Sequence, residues 1–176
     1  MSVMFLLRED AAAPAEERSL PDGTTLQIWR PADELAFPPD LLRLTVKIQH
    51  KLGLFDDSRY TELSIVCGSI RVHRLIVTPR WHRFPFMAAG DLQIGAVWTH
   101  PEWRRFGLAR LAIDRAHCLF AAPGQRFWYV TDGSNAASMA LARSAGYRLI
   151  GEGRRTKPIG LAILGQFQID REYALS

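Results

Sequence analysis

The sequence predicts an α/β protein in which helices pack against a mixed β-sheet. Three features support this class. Two stretches with apolar residues at helical spacing, one ending near Phe120 and one at 135–145, alternate with compact apolar stretches typical of strands. Two further strand-like stretches, 60–67 and 70–78, are joined by only two residues, as in a hairpin. With 176 residues, 48% of them hydrophobic, the chain is long enough for one domain with a large core.

The first half of the chain is expected to begin with an N-terminal extension or loop at 1–23, followed by the folded domain at 24–176. Residues 8–23 are rich in Ala, Glu, Pro and Asp, and the apolar start is too short for a secretory signal peptide. The elements predicted next are a strand at 24–30, a helix at 41–52 that ends at Gly53, and strands at 60–67, 70–78 and 92–99.

The second half of the chain alternates helices with strands. Pro123 and Gly124 end the first helix, and Asp132, Gly133 and Ser134 form a turn that can cap the next one. The predicted elements are a helix that ends near Phe120, a strand at 127–130, a helix at 135–145 closed by Gly146, and strands at 147–152 and 161–169.

Composition and charge argue against several classes of function. The net charge is +4, but no basic run is longer than two residues, so charge alone does not indicate a nucleic-acid partner. No apolar run approaches the roughly 20 residues that span a bilayer, so no membrane partner is expected. Cys67 and Cys118 form neither a disulfide framework nor a metal-binding pattern. We therefore expect a reduced, cytoplasmic protein without a metal, and the sequence leaves a homodimer open.

The most informative segment is the turn between the strand at 92–99 and the next helix. Residues 100–109 read His-Pro-Glu-Trp-Arg-Arg-Phe-Gly-Leu-Ala. The first turn of a helix leaves about four N–H donors without internal partners, and the helix dipole adds partial positive charge there. Arg104 and Arg105 add further charge, and Gly107 lets the backbone approach a ligand closely. This combination predicts a site for the phosphate or pyrophosphate of a cofactor.

Two segments together resemble the GNAT superfamily of acyl-coenzyme A N-acyltransferases. Residues 104–109 match the cofactor motif of that superfamily, Gln/Arg-x-x-Gly-x-Gly/Ala. The residues that match a second motif, which opens with an asparagine and ends with glycine and an aromatic, are Asn135, Ser138, Gly146 and Tyr147. The resemblance covers about residues 60–170. It implies a single-domain GNAT-like fold with a mixed, mostly antiparallel central sheet flanked by helices, and acetyl-coenzyme A as the cofactor.

The resemblance also implies which residues hold that cofactor. The backbone N–H groups of residues 104–109 would cradle the pyrophosphate, and the strand ending near Thr99 would pair its free edge with the pantetheine arm. In the superfamily this strand is bulged, and Gly95 is either the bulge residue or a glycine required for close packing. The predicted cofactor-binding residues are Val97, Trp98, Thr99, Arg104, Arg105, Phe106, Gly107, Leu108, Ala109, Asn135 and Ser138.

Transfer of an acyl group to an amine needs a proton acceptor for the amine, donors for the oxyanion and a proton for the departing thiolate. The oxyanion donor is expected at a backbone N–H near Thr99. Many superfamily members use a tyrosine as the acid, at a position that Ala142 occupies here. The substitutes are Ser138, Tyr129, Tyr147 or an ordered water.

The base is the least defined part of the predicted site. The candidates are His73, His82, His100, Glu102 and Asp132. Glu102 also fits a residue that complements the helix dipole, and Gln93 on the preceding strand cannot act as a base. We predict that the protein positions the amine and that a chain of water molecules removes its proton. The candidate catalytic residues are His100, Asp132 and Tyr147.

Residues 81–87 are aromatic, basic and interrupted by proline. They either line the acceptor pocket or form a hairpin that fills the core. The leading hypothesis is an acetyl-coenzyme A-dependent N-acetyltransferase that acts on a small-molecule amine, with amino sugars among the candidate acceptors. The alternatives are a non-catalytic acyl-coenzyme A sensor, motivated by Ala142, and a nucleic-acid-binding domain, motivated only by arginines interleaved with aromatic residues.

Overall fold

A computed structural model describes residues 2–10, 19–33, 40–156 and 165–173. Within these residues the chain forms eight strands and three α-helices. The strands are β1 (Val3–Asp10), β2 (Thr24–Trp29), β3 (Thr61–Cys67), β4 (Ile70–Pro79), β5 (Leu92–Thr99), β6 (Gln125–Asp132), β7 (Arg148–Arg155) and β8 (Phe167–Glu172). The helices are α1 (Leu41–Lys51), α2 (Leu108–Phe120) and α3 (Ala136–Ser144).

The described strands form a single sheet in the order β2-β3-β4-β5-β6-β1-β7-β8. The β5–β6 pair is parallel and every other neighbouring pair is antiparallel. The predicted fold class, an α/β protein with a mixed and mostly antiparallel central sheet, is confirmed.

The prediction that residues 1–23 form an extension or loop is wrong for residues 3–10. These residues form β1, which lies inside the sheet between β6 and β7. Phe5 and Leu6 point to opposite faces and are both 0% exposed, since the sheet is covered on both faces there. A strand buried on both faces is a continuous apolar run without alternation, so its pattern does not distinguish it from an apolar terminus. Residues 11–18 of the same prediction lie outside the described residues.

The other predicted elements are present, with ends that differ by a few residues. Helix α1 begins after Asp40, whose carboxylate accepts hydrogen bonds from the N–H groups of Leu42 and Arg43. The final predicted strand, 161–169, is shifted, because β8 begins only at Phe167. Residues 161–164 lie outside the described part of the chain.

The core has a separate layer on each face of the sheet. On one face α2 packs against the central strands, with Leu75 and Val77 of β4 among the fully buried side chains. On the other face Ile76 of β4 packs with Val46 of α1. Neighbouring residues of β4 thus point to opposite layers, which places the start of α2 and the underside of α1 on opposite faces of the same central strands.

Candidate active site

Strands β5 and β6 run side by side for only three residues and then part. Their pairs are Leu92↔Phe127, Gln93↔Trp128 and Ile94↔Tyr129. In the described chain, residues 95–99 of β5 have β4 on one side and no strand on the other. The N–H and C=O groups on that side are available to an extended ligand that carries amides. We call this opening between β5 and β6 the slot.

A bulge in β5 accompanies the parting of the strands. The pairing register with β4 shifts by one residue opposite residues 95–98, and Ala96 has a φ of +49°. A Cβ at Gly95 would lie 2.5 Å from Nε2 of the buried Gln93. Gly95 is therefore the close-packing glycine, and Ala96 beside it takes the left-handed conformation of the bulge.

The turn after β5 presents backbone N–H groups that no helical bond uses. Pro101–Trp103 forms one 3-10 turn, and the first bond of α2 runs from the N–H of Leu111 to the carbonyl of Gly107 over 3.0 Å. The N–H groups of 108–110 therefore precede the helical ladder. Gly107 has a φ of +77°, and a Cβ there would meet no atom within 4 Å. The backbone conformation favours glycine, and the space in front of the turn is open.

The side chains of this turn are exposed and basic. Arg104 and Arg105 are exposed, and Phe106 is 65% exposed. Arg104 Nε donates to the carbonyl of Thr99 at 3.4 Å, which ties the turn to the end of β5. Guanidinium groups beside a helix N-terminus form a site suited to pyrophosphate. The structure thus brings together the predicted cofactor residues 97–99 and 104–109.

The second predicted motif is connected to the point where the strands part. Asn135 caps α3, and its Oδ1 accepts a hydrogen bond from the N–H of Ser138 at 3.0 Å. Ser138 Oγ lies 3.2 Å from the hydroxyl of Tyr129, the last residue of β6 that pairs with β5. Burial raises the pKa of Tyr129, and the hydrogen bond with Ser138 opposes that shift only in part. Tyr129 is therefore a protonated phenol.

Tyr147 belongs to a buried network and not to the slot. Its hydroxyl lies 2.8 Å from Nε2 of His117, and Arg8 of β1 donates to Nδ1 of the same ring at 3.0 Å. Because arginine can only donate, His117 accepts at Nδ1 and carries its proton on Nε2. Burial, and then the charges of Arg8 and Arg110, lower the pKa of His117 to about 3. This arrangement gives Tyr147 a structural role in joining β7 to α2.

The histidines predicted as bases are placed differently from one another. His73 is 0% exposed, its Nδ1 lies 2.8 Å from Thr99 Oγ1, and burial lowers its pKa to about 4. His100 lies at the start of the turn, with Nδ1 4.0 Å from Glu102 Oε2, which is beyond hydrogen-bond distance. His82 is exposed and contacts the edge of the Trp81 ring.

Asp132 caps the turn before α3. Its Oδ1 accepts hydrogen bonds from the hydroxyl and the N–H of Ser134 at 2.6 and 2.8 Å. These bonds lower the pKa of Asp132 and make it a weaker base.

A cavity of about 470 Å³ lies on the α1 face of the sheet, next to the slot. Gly95 and Ala96 of the bulge and Val130 of β6 line the cavity from the two strands that border the slot. The remaining lining residues are Leu42, Thr45, Val46, Gln49, Phe55, Tyr60, Ile76, Thr78, Trp81, Arg83, Phe84, Gln93 and Phe167. None of these lining residues is a carboxylate or a histidine, so the candidate bases lie outside the cavity walls in the described chain. We call this space the acceptor cavity.

The aromatic stretch at 81–87 lies partly in the wall of this cavity and partly in the core, and it forms no hairpin. Trp81, Arg83 and Phe84 line the acceptor cavity, whereas Met87 is buried in the core layer beside β1. Tyr60 and Phe167 were not among the predicted site residues, because they reach the cavity from the residue before β3 and from β8, distant in sequence. Only the aromatic character of their segments could have indicated them.

The fold defined by this sheet and slot is that of the GCN5-related N-acetyltransferases. A crystal structure of such an acetyltransferase from Sphaerobacter thermophilus superposes with a TM-score of 0.59 at 14% identity, covering 86% of this chain and 49% of that protein. A tandem GNAT protein from the clavulanic acid biosynthesis pathway gives 0.58 at 14% identity, covering 84% and 50%. A putative GNAT acetyltransferase from Novosphingobium aromaticivorans gives 0.51 at 19% identity, covering 85% and 62%.

These similarities concern the fold. The chain spans about half the length of the first two proteins. No protein-family model and no curated protein matches the sequence. No helix in the described residues is long and apolar enough to cross a membrane. The location in the cytoplasm and the absence of a nucleic-acid partner stay predictions.

Proposed function

We propose that this protein is an acetyl-coenzyme A-dependent N-acetyltransferase that acts on a small-molecule amine. The observation that carries the proposal is the slot, with a bulged free strand edge at 95–99 on one side and the turn at 104–109 beyond its end. The two features suit the two chemically different parts of coenzyme A, the amide-bearing arm and the pyrophosphate. The open space at Gly107 and the N–H groups of 108–110 fit such a ligand.

Acetyl-coenzyme A would supply the acetyl group as a thioester that a neutral amine can attack. The strand edge at 95–99 would orient the arm, and residues 104–109 would hold the phosphates. We place the oxyanion donor at the backbone N–H groups of the bulge, Ala96 and Val97. This position differs from the one predicted near Thr99, because the strands already part after Ile94.

The proton for the departing thiolate would come from the Tyr129–Ser138 pair. Ala142, at the usual tyrosine position, is 0% exposed and has no acidic group. Tyr129 lies at the point where the strands part and is held protonated by burial. Its hydroxyl and the hydroxyl of Ser138 are within hydrogen-bond distance, so a proton can pass between them. Tyr147 is less suited, since its hydroxyl is already bonded to His117.

Deprotonation of the amine would use a water relay. The lining of the acceptor cavity supplies hydroxyl and amide groups from Tyr60, Thr78 and Gln93 but no carboxylate or histidine. Such groups can align water molecules without accepting a proton themselves. His100 remains the candidate at the solvent end of the relay, because it lies beside the turn and is partly exposed.

The experiment that tests the proposal has two readouts. Calorimetry with acetyl-coenzyme A and coenzyme A measures cofactor binding, and release of free thiol is followed across amino sugars, amino acids and polyamines. We expect binding of both cofactor forms and thiol release with at least one amine. Failure to bind either form contradicts the proposal.

The second candidate function is a non-catalytic acyl-coenzyme A sensor. It is favoured by Ala142 and by the cavity walls that carry no carboxylate or histidine. Binding of acetyl-coenzyme A without thiol release from any amine would support the sensor and argue against the enzyme.

A further inference from the structure

One arginine in the wall of the acceptor cavity has no carboxylate partner among the described residues. Arg83 lies in the loop between β4 and β5, and its guanidinium stacks over the Trp81 ring at 5.1 Å. Its Nε–H is buried without an acceptor. A buried N–H that lacks an acceptor costs free energy, which a bound oxygen atom would recover.

Three other partly buried arginines of the protein are paired with carboxylates. Arg43 lies 2.8 Å from Glu62, Arg110 lies 2.9 Å from Asp114, and Arg126 lies 2.9 Å from Asp91. These pairs lie outside the acceptor cavity, whereas Arg83 is in its wall. Among the described lining residues Arg83 is the one arginine, and no carboxylate in that wall competes with a ligand for it.

A second arginine, Arg155, adds positive charge near Arg83. Burial, and then the charge of Arg155, lower the pKa of Arg83. Arg155 lies over the ring of Phe167, which itself lines the cavity, at 5.6 Å. Two guanidinium groups close enough to interact attract an anion more strongly than either would alone.

The remaining cavity wall limits what can bind there. The cavity extends from Arg83 to Gly95 and Ala96 at the slot, and most of its lining is aromatic or aliphatic. A ligand that fills it would place one end at the transferable acyl group and the other end at the arginine. An oxyanion is the group that a guanidinium binds best, through paired hydrogen bonds.

We propose that the acceptor amine carries an acidic group, a carboxylate or a phosphate, that pairs with Arg83 in the acceptor cavity. This inference rests on the proposed acetyltransferase function and names the class of its substrate. The amine of such an acceptor lies at the bulge of β5 while its anionic group lies at Arg83.

The test compares acceptors that differ only in the acidic group. Ethanolamine is matched with O-phosphoethanolamine, glucosamine with glucosamine 6-phosphate, and serine with serinamide, using acetyl-coenzyme A and thiol release. We expect the anionic member of at least one pair to have a kcat/KM about 10-fold or more above its neutral match. The phosphate and carboxylate pairs show which anion the site prefers. Equal rates within every active pair would overturn the inference.

Arg83→Gln should raise KM for the anionic acceptor by about 10- to 100-fold, the loss typical of a charge-assisted contact. The affinity for acetyl-coenzyme A should stay the same, and Arg83→Lys should restore part of the KM. Arg80→Gln is the matched control, because Arg80 is close in sequence but pairs with Asp56 at 3.2 Å outside the cavity. An unchanged KM in Arg83→Gln, or weaker binding of acetyl-coenzyme A, would contradict the assignment.

A measurement without catalysis separates the failure of this inference from the failure of the proposed function. The arginine Nε–H resonances of the wild-type protein are followed by NMR during titration with O-phosphoethanolamine and with ethanolamine. The Arg83 signal should shift with the phosphate compound alone. If it shifts while acetyl-coenzyme A does not bind, the anion site stands and the acetyltransferase proposal fails. If acetyl-coenzyme A binds and the signal shifts with neither compound, the inference fails and the proposed function stands.

Discussion

The turn at 104–109 and the acceptor cavity both lie beside the slot in the sheet, but they are built from different parts of the chain. The turn is one continuous segment, 104–109, and its ligand groups are mostly backbone N–H groups. The cavity is assembled from residues of α1, the segment before β3, the strands β4, β5 and β6, the loop before β5, and the strand β8 at the edge of the sheet. A backbone site tolerates variation in side chains, whereas a cavity made of side chains takes its specificity from them. We therefore expect the turn to be the part that varies least in function among proteins of this fold, and the cavity to decide which acceptor binds.

The two regions also differ in their charges. The turn presents exposed arginines and the positive end of a helix, so its interaction with a ligand is screened by salt. In the acceptor cavity, Arg83 is partly buried among aromatic rings, where charge interactions are screened less. Changes in the turn should therefore affect the cofactor alone, and changes in the cavity should affect the acceptor alone.

The largest expected effect is at the turn. Gly107→Asp places a carboxylate beside the N–H groups that would hold the pyrophosphate, and we expect the affinity for acetyl-coenzyme A to fall at least about 100-fold. The added Cβ meets no atom within 4 Å, so the only structural cost is the left-handed backbone at φ +77°. That cost is about 1–2 kcal/mol for a residue with a side chain. Calorimetry measures the affinity, and thermal unfolding measures the cost.

Gly124→Asp is the matched control for this variant. Gly124 has φ +73° and equally open surroundings, and it lies in the turn that leads into β6. Both variants should lose similar stability, and only the Gly107 variant should lose the cofactor. Normal cofactor binding by Gly107→Asp would show that residues 104–109 are not the phosphate site.

The next effect concerns the proton donor at the base of the slot. Tyr129→Phe removes the hydroxyl that lies 3.2 Å from Ser138 Oγ, and we expect kcat to fall by about 100-fold, the lower end of the range for acid–base catalysis. The affinity for acetyl-coenzyme A should not change, since the proposed contacts with the cofactor come from other residues. Steady-state thiol release and calorimetry separate the two quantities.

Tyr147→Phe provides the comparison, because it removes a buried hydroxyl of the same kind from a neighbouring position. The Tyr147 hydroxyl bonds to His117, so its loss should lower the free energy of unfolding by about 1–3 kcal/mol and leave kcat unchanged. A loss of kcat in Tyr147→Phe with none in Tyr129→Phe would reverse the two assignments.

The smallest expected effect is a pH dependence of the free energy of unfolding, which arises from two buried histidines. His117 and His73 both have pKa values lowered by burial, to about 3 and about 4. The unfolded histidines take up protons as the pH falls through about 6.5, while the folded ones stay neutral. Their contribution to stability is therefore complete above pH 6.5 and is lost as the pH falls toward 4. Each histidine should lower the free energy of unfolding by about 1 kcal/mol between pH 6.5 and 5.5.

Denaturant unfolding at pH 7.5, 6.5 and 5.5 measures this slope. His117→Gln should reduce the slope by about the share of one histidine, because the variant has no group there that titrates in this range. An unchanged slope in that variant would show that His117 titrates alike in the folded and unfolded states.

The sequence predicted most of the elements, because their signals are local. Asp40 before α1 and Asn135 before α3 have side chains that can cap a helix, and both accept such bonds in the structure. The glycine of the turn was predicted from the motif, and the structure gives its reason in a positive φ. Strand β1 could not be recognised in the same way, since burial on both faces removes the alternation by which strands are identified.

In the candidate site, too, the local features were predicted and the contacts between separate elements were not. Residues 104–109 lie next to one another in the sequence, so a site for a phosphorylated cofactor could be predicted there from the residues and from the resemblance. The sequence did not show that Tyr129 meets Ser138 or that Tyr147 bonds to His117, because each pair joins separate elements. The bonds from Ser134 that weaken Asp132 as a base are local, in contrast, and lie within the turn that the sequence predicted at 132–134.

The sequence by itself determined the class of fold, the helix that begins at the slot and the turn suited to a phosphorylated cofactor. Tertiary structure alone decided the place of β1, the bulge at Ala96, and the cavity next to the slot that Arg83 and Phe167 line together. The physical reason is the range of the forces involved. Caps, turns and helical periodicity depend on groups a few residues apart. Strand order and cavity walls depend on burial between residues more than a hundred positions apart along the chain, such as Val3 and Asp132.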